Sequence, residues 1–382
     1  MAVRPGGRAT TIYDVALAAA VSQATVSRVV NGKSSVDPAI ARRVTAVIDA
    51  LGYRPSTTAR NLATGSTQTV AVVVPDLGNP MFHEVLRGVT HAAAEAGYRV
   101  LVADSEESPA DEAELAVEAR RRCDALVLVA PRMPESALRA LLPRLAPVVL
   151  VNRSLAGVPD VAVDYAAAAA TAVEHLAGLG HGRIAYLAGP SSSESNRRRL
   201  AGIALALASL PGVEVDTVAC GATADDGARA ATALGDATAV VAFNDLVAVG
   251  LLAALRDAGV RVPEQLSVIG FDDIEFARYA TPALTTMAVP RRELGASAWS
   301  ALLAEIAGGQ PAAPMLFGAT LIVRASTGHA STSPVLARTT SVGTNSIGAA
   351  GSPPAISAES AAQALAPSSR RGTAMVVSAG VA

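Results

Sequence analysis

From Thr69 onward one pattern repeats. The apolar runs TVAVVVPD, YRVLVAD, DALVLVAP and PVVLVN are separated by helix-length stretches at Glu84–Ala96, Asp111–Arg122 and Glu135–Leu142. After a further helical stretch, Ala166–Leu179, the runs RIAYLAG, AVVAFN and LSVIGFDD follow, separated by Arg197–Leu210 and Asp245–Ala258. An unbroken apolar run suits a strand covered on both faces, and helices between such strands make the sheet parallel. Few folds accept that order. Repetition on both sides of Asp164 predicts two doubly wound α/β lobes, with a ligand crevice at the carboxyl ends of the strands.

The first sixty residues read differently. Thr11-Ile12-Tyr13-Asp14 has the form of a capping box and starts a helix through Ala19. Ser22 is an N-cap for a second helix through Val30, closed by Asn31-Gly32. Asp37-Pro38 opens a third, whose Ile40, Val44, Val47, Ile48 and Leu51 share a face, with Gly52 ending it. Three short helices with tight turns predict an all-α helix-turn-helix headpiece over residues 1–54. Residues 55–66 are polar and marginally helical, a linker. The two-lobed core occupies 67–328, its N-lobe 67–163 plus 290–318 and its C-lobe 164–289 plus 319–328. Residues 329–382 are rich in Ser, Thr, Ala, Gly and Pro without a period, and are expected to be a disordered tail.

Charge divides the chain in the same place. Up to Leu62 eight basic side chains face three acidic ones, a net of +5, which leaves about −7 for the rest of a chain whose total is −2. A basic head on an acidic body fits a polyanion met by the head alone. Hydrophobic residues make up 51% of the chain, but the excess is alanine, and no apolar run reaches the ~18 residues of a membrane span. The start, MAVRPGGRATT, has no apolar stretch behind its arginines, so a cytoplasmic protein is expected. Cys123 and Cys220 stand alone, which argues against disulfide and zinc roles.

Catalytic signals are weak. The glycines of GLGHGR follow a helix and precede a strand, the reverse of a dinucleotide loop. No phosphate loop, nucleophile elbow or paired-histidine motif occurs, and no cofactor or metal is expected. Binding signals lie instead at strand ends: Asp76, Asn79 and Phe82; Asn152 and Arg153; Phe243, Asn244 and Asp245; Asp272 and Asp273. Arg199 is read as opening a helix in the second lobe. Carboxylates, amides and a guanidinium each hold neighbouring hydroxyls, which suits a sugar or related polyol, and rings pack on its apolar face. Each such residue alone could be a helix cap or a surface ion pair; their shared location favours a site.

From Thr10 to about Gly328 the chain resembles the lactose-repressor (LacI/GalR) family of transcriptional regulators. The motifs are TIYDVALAAAVSQATVSRVVNG, LGYRPSTTARNLATG, NPMFHEVLRGV, VEHLAGLGHGRIAYLAGP, RLAGI, FNDLVAVG, LSVIGFDD and PALTT, in this order. The resemblance implies a periplasmic-binding-protein-like core, a homodimer or tetramer, a palindromic operator and a small effector, commonly a sugar or nucleobase; with no heptad-like segment after the core, a homodimer is the expectation. It places Gln23, Ala24 and Arg28 against bases and Thr11, Ser22, Thr25, Ser27 and Asn31 against the phosphate backbone. Ala59 and the wedge Leu62 fall at the hinge in the minor groove. The resemblance places Arg199, Asn244 and Asp272 at the effector positions with Phe82 and Asn152 in the wall, and the strand-end reading adds Asn79 and Phe243 to that site. Ala20 stands where the family has a turn glycine; Asn152, Tyr165 and Val289 depart from it beside the cleft. A solute-binding protein for sugar uptake is the alternative reading; it needs a secretory signal and no helix-turn-helix.

Overall fold

The computed structural model describes residues 10–30, 36–54, 65–309 and 312–331, and the backbone of 374–377. Contacts divide the chain into two units, Met1–Gln68 and Thr69–Ala382. In the first, α1 (Ile12–Ala18) begins at a capping box, in which the Thr11 N–H donates to the Asp14 carboxylate at 2.8 Å. The Ser22 hydroxyl accepts from the Thr25 N–H at 3.1 Å ahead of α2 (Gln23–Val30). Asp37 accepts from the Ala39 N–H at 2.7 Å ahead of α3 (Pro38–Leu51), and Gly52, at φ +59°, closes that helix. Val15, Ala19, Val26 and Val44 form the buried centre, with Val21, Val29 and Val30 partly buried around it.

Ala20, in the turn between α1 and α2, sits at φ +51°. A side chain in that left-handed region costs roughly 1–2 kcal/mol, partly offset because glycine would loosen the unfolded chain. Ala20→Gly is therefore expected to stabilise the headpiece by about 0.5–1 kcal/mol. Slower hydrogen exchange of the α1 and α2 amides in the full-length protein would show it; faster exchange would contradict it.

The second unit holds two sheets. In the first, β1 (Thr69–Val74), β2 (Arg99–Asp104), β3 (Ala125–Val129), β4 (Val148–Val151) and β5 (Asp160–Val163) run parallel, with β11 (Met315–Phe317) parallel on β5. The order is β11-β5-β4-β3-β1-β2. The second has the order β12-β10-β9-β8-β6-β7, from β6 (Arg183–Ala188), β7 (Glu214–Ala219), β8 (Ala239–Ala242), β9 (Ser267–Asp272), β10 (Thr285–Ala288) and β12 (Thr320–Ile322). There only β12 is antiparallel, on β10. Within residues 65–331 the described chain crosses between the sheets three times, after β5, after β10 and between β11 and β12. Five of the six β1 residues and all of β3 are wholly buried or nearly so, as a sheet covered on both faces requires.

Helices pack close where glycine allows. α4 (Pro80–Glu95) lies on α12 (Arg291–Ile306), and a β-carbon on Gly88 would sit 2.2 Å from the Arg292 carbonyl oxygen. Two helices begin earlier than their apolar period predicts. Asn79 caps α4 directly, with Pro80 in its first turn, so the helix starts four residues before Glu84. α8 (Glu194–Leu207) starts at Ser193 as cap, so Arg199 lies inside it, not at its opening. α7 (Tyr165–Gly178) and α10 (Asp245–Asp257) also flank the second sheet, while α5 (Pro109–Arg122) and α6 (Glu135–Leu145) flank the first.

The expectation of a structureless 329–382 needs one correction: β13 (Ala374–Val377) pairs antiparallel with β2, Ala374 opposite Ala103 and Val377 opposite Val100. Edge strand β2 presents an unpaired ladder, and AMVV is an apolar run of strand-forming type. Cys123 is buried and Cys220 partly so, both free thiols. Among the described residues no helix is long and apolar enough to cross a membrane.

Candidate functional site

On the headpiece, α2 shows a polar, basic face. Ser22, Gln23, Ala24 and Arg28 are exposed, Thr25 and Ser27 partly so, while Val26 points inward. The period of the helix produces this split: residues at i, i+1 and i+5 share the side opposite Val26. Two hydroxyls have internal duties. Thr11 donates to Asp14 at 2.7 Å, and Ser22 lies 2.9 Å from the Thr25 hydroxyl. Asn31, Ala59 and Leu62 lie outside the described residues.

In the core, the carboxyl ends of β1 to β4 and of β6, β8 and β9 open on one cavity. All seven residues singled out for it line its wall: Asn79, Phe82, Asn152, Arg199, Phe243, Asn244 and Asp272. Chain geometry there is unusual. Glu107, Ala130, Asn152 and Asp272 have φ of +60°, +45°, +55° and +102°, so the turns after β2, β3, β4 and β9 fold back into the cavity. Left-handed backbone at a non-glycine costs about 1–3 kcal/mol and concentrates at ligand sites.

Arg199 is the centre of the arrangement. It is 2% exposed, and its guanidinium carbon lies 4.1 Å from the ring centre of Tyr165, 4.3 Å from that of Phe271 and 4.7 Å from that of Phe243. Ring faces stabilise a desolvated cation by about 2 kcal/mol, yet they accept no conventional hydrogen bond. The Nε and Nη1 of Arg199 accordingly have no hydrogen-bond partner among the described residues. Asp272 is the neighbouring anion. Burial pushes its carboxyl up from the ordinary aspartate value, and the charges of Arg199 and Arg291 hold it down.

The amides behave otherwise, for the oxygens of all three and the NH2 groups of Asn152 and Asn244 are spent inside the protein. Asn79 accepts from the Met81 N–H at 3.0 Å, which makes it a helix cap. Asn152 accepts from the Val163 N–H at 3.0 Å and donates to the Tyr165 hydroxyl at 3.3 Å. Asn244 accepts from the Val247 N–H at 2.8 Å and donates to the Ala222 carbonyl at 2.9 Å. They shape the wall and leave Arg199 and Asp272 with unspent capacity.

Asp245 and Asp273 point away from the cavity. Asp245 is fully buried and accepts from the Thr286 hydroxyl at 2.6 Å and the Ile274 N–H at 2.8 Å, tying down the turn that carries Asp272. Burial first, then the Asp272 charge, pushes its carboxyl well above the ordinary range. Asp273 binds Arg324 at 2.6 Å, and its carbonyl accepts from Arg291 at 2.7 Å. Arg291 opens α12, which packs on the first sheet, so this pair links the Asp272 turn to the other lobe.

Sequence reading passed over Glu107, Arg132, Tyr165 and Ser195 as wall residues. Glu107 and Arg132 follow β2 and β3, so the strand-end rule that found the others also reaches them. Tyr165 was visible only as a departure beside the cleft. Among the described residues no three metal-binding side chains cluster.

Residues 11–56 match the bacterial regulatory proteins of the lacI family, and residues 173–327 match the periplasmic binding protein-like domain. The HTH-type transcriptional repressor CytR of Escherichia coli K12 is 35% identical over 84% of this chain and 96% of its own length. The chain belongs to the LacI family. Among solved structures, a lac repressor dimer bound to operator and the anti-inducer ONPF superposes with a TM-score of 0.75 at 27% identity, over 84% of this chain and all of that one. The transcriptional regulator CelR in complex with cellobiose gives 0.62 at 30% identity, over 83% and 99%. This LacI-family chain is a DNA-binding transcriptional regulator with an effector-binding core, and the relatives named are regulators, not enzymes.

Proposed function

We propose that this regulator is a homodimeric repressor whose affinity for a palindromic operator is set by a sugar or related polyol held between the two lobes. Arg199 carries the reading. A buried guanidinium with two unpartnered donors, facing a carboxylate in a walled cavity, needs a ligand that both accepts and donates hydrogen bonds. Adjacent hydroxyls do both. The CelR–cellobiose complex lends support by likeness. Effector binding changes operator affinity if it favours one lobe arrangement, and Arg291–Asp273–Arg324 ties the Asp272 turn to that arrangement. Phe276 and Tyr279 are 56% and 75% exposed and supply apolar surface for a twofold partner. A transport protein would have no use for the headpiece.

At the operator, Gln23, Ala24 and Arg28 are proposed to meet base edges: arginine as a bidentate donor to guanine, glutamine to adenine, alanine against a thymine methyl. Ser22, Thr25, Ser27 and Asn31 would hold the backbone, with Thr11 contributing through the capped start of α1 because its hydroxyl is given to Asp14. Ala59 and Leu62 would sit in the minor groove at the dyad. Arg28→Ala is expected to cost roughly 1–3 kcal/mol and to relax the preference at one base pair per half-site. Selection of binding sites from random DNA by both proteins tests this; an unchanged base preference would remove Arg28 from the reading surface.

A further inference from the structure

We propose that the Glu107–Arg132 pair is a charge filter, which restricts the cleft to uncharged polyhydroxy ligands and turns away their phosphorylated forms. This rests on the cleft being the effector site.

Arg132 is the second arginine in the cavity wall, and each of its three guanidinium nitrogens already has a partner. Its Nη2 donates to Glu107 at 2.8 Å, its Nε to the other Glu107 oxygen, and its Nη1 to the Ala130 carbonyl at 3.0 Å. The fork meets its carboxylate on both prongs, the arrangement a phosphate would otherwise accept. The side chain of Arg132 is 3% exposed, that of Glu107 28%. The cavity therefore meets the anion of the pair.

Arg132 cannot readily turn away from this partner. The buried Glu112 carboxylate accepts the backbone N–H of Arg132 at 2.8 Å and of Met133 at 2.7 Å, which clamps the loop between β3 and α6. Glu107 itself is held at φ +60°. On the facing wall Arg199 is matched by Asp272, so two cations and two anions line the cavity and cancel. Asp76, whose carboxyl is pushed up by burial and by Asp104 and Glu107, adds acid beside the pair. A phosphate entering this site meets carboxylates on both walls, Arg132 is already forked by Glu107, and the open donors of Arg199 lie beside the Asp272 charge; a hydroxyl meets ready acceptors without that repulsion. The predicted site thus discriminates by repulsion as well as by attraction.

The test uses full-length protein, with its thermal midpoint followed in the presence of D-ribose, D-glucose, ribose 5-phosphate, glucose 6-phosphate and inorganic phosphate. Glu107→Gly relaxes the backbone and bares the Nε and Nη2 of Arg132, and Glu107→Gln removes only the charge. Inorganic phosphate is expected to raise the midpoint of E107G and leave the wild type unmoved, and any sugar that binds the wild type should bind about tenfold or more tighter than its phosphate ester. E107Q should narrow that ratio. Equal stabilisation of wild type and E107G by phosphate, or of neither, overturns the filter, as does a phosphate ester that binds the wild type as well as its parent sugar. A neutral panel that fails entirely while the phosphate contrast holds would sink the polyol reading and leave the filter standing.

Discussion

Replacing Asp272 with asparagine is expected to weaken effector binding by about 10- to 150-fold, the effect of losing hydrogen bonds to a charged group worth ~1.5–3 kcal/mol. The backbone there, at φ +102°, accepts asparagine at least as well as aspartate, so the turn should survive. What disappears is the anion beside Arg199, leaving a buried cation with ring faces and unpartnered donors. Operator affinity of the ligand-free protein should stay near that of the wild type. Calorimetric titration with a sugar that stabilises the wild type decides it: undiminished affinity in Asp272→Asn would take Asp272 out of the site.

Gly202→Val is expected to damage stability and site together. Gly202 lies on α8 one turn beyond Arg199, and a β-carbon there would sit 2.0 Å from the Ala166 carbonyl oxygen on α7. No rotamer relieves a clash made by the β-carbon itself, so α8 must move off α7. Overpacking of this kind costs roughly 3 kcal/mol or more. The shift would also draw Arg199 off the Tyr165 ring, since Tyr165 is the first residue of α7. Denaturant unfolding and effector titration should both register the change; a variant with wild-type stability would show that the helices have slack that their contact distances deny.

Much of this was legible in the chain. Continuous apolar runs gave the parallel strands because burial on both faces leaves no polar alternation to confuse the reading. Thr11, Ser22 and Asp37 marked helix starts because a cap is a local hydrogen bond, made within three residues. The strand-end rule gathered six of the seven wall residues for the same topological reason, Arg199 being the one carried on a helix. Function of the individual atoms was not legible. Asn79, Asn152 and Asn244 look like ligand-binding amides in sequence, and only the fold reveals that caps and crossing strands consume their amide oxygens. Arg199 depends on rings brought from positions 165, 243 and 271, and Glu107 on a guanidinium 25 residues away. Such partners are set by tertiary packing, which leaves no local pattern.

Coupling between cleft and headpiece is the central claim, and fluorescence anisotropy of selected operator DNA tests it most directly. Wild-type protein is titrated at several salt concentrations with and without a neutral sugar known to raise its thermal midpoint. Operator affinity should fall log-linearly with salt, as release of counterions from phosphate contacts requires. At fixed salt the sugar should shift it by about 5- to 150-fold, the usual range of allosteric coupling. Identical affinity with the cleft empty and saturated would contradict the account, because a ligand that binds both operator-free and operator-bound forms equally controls nothing.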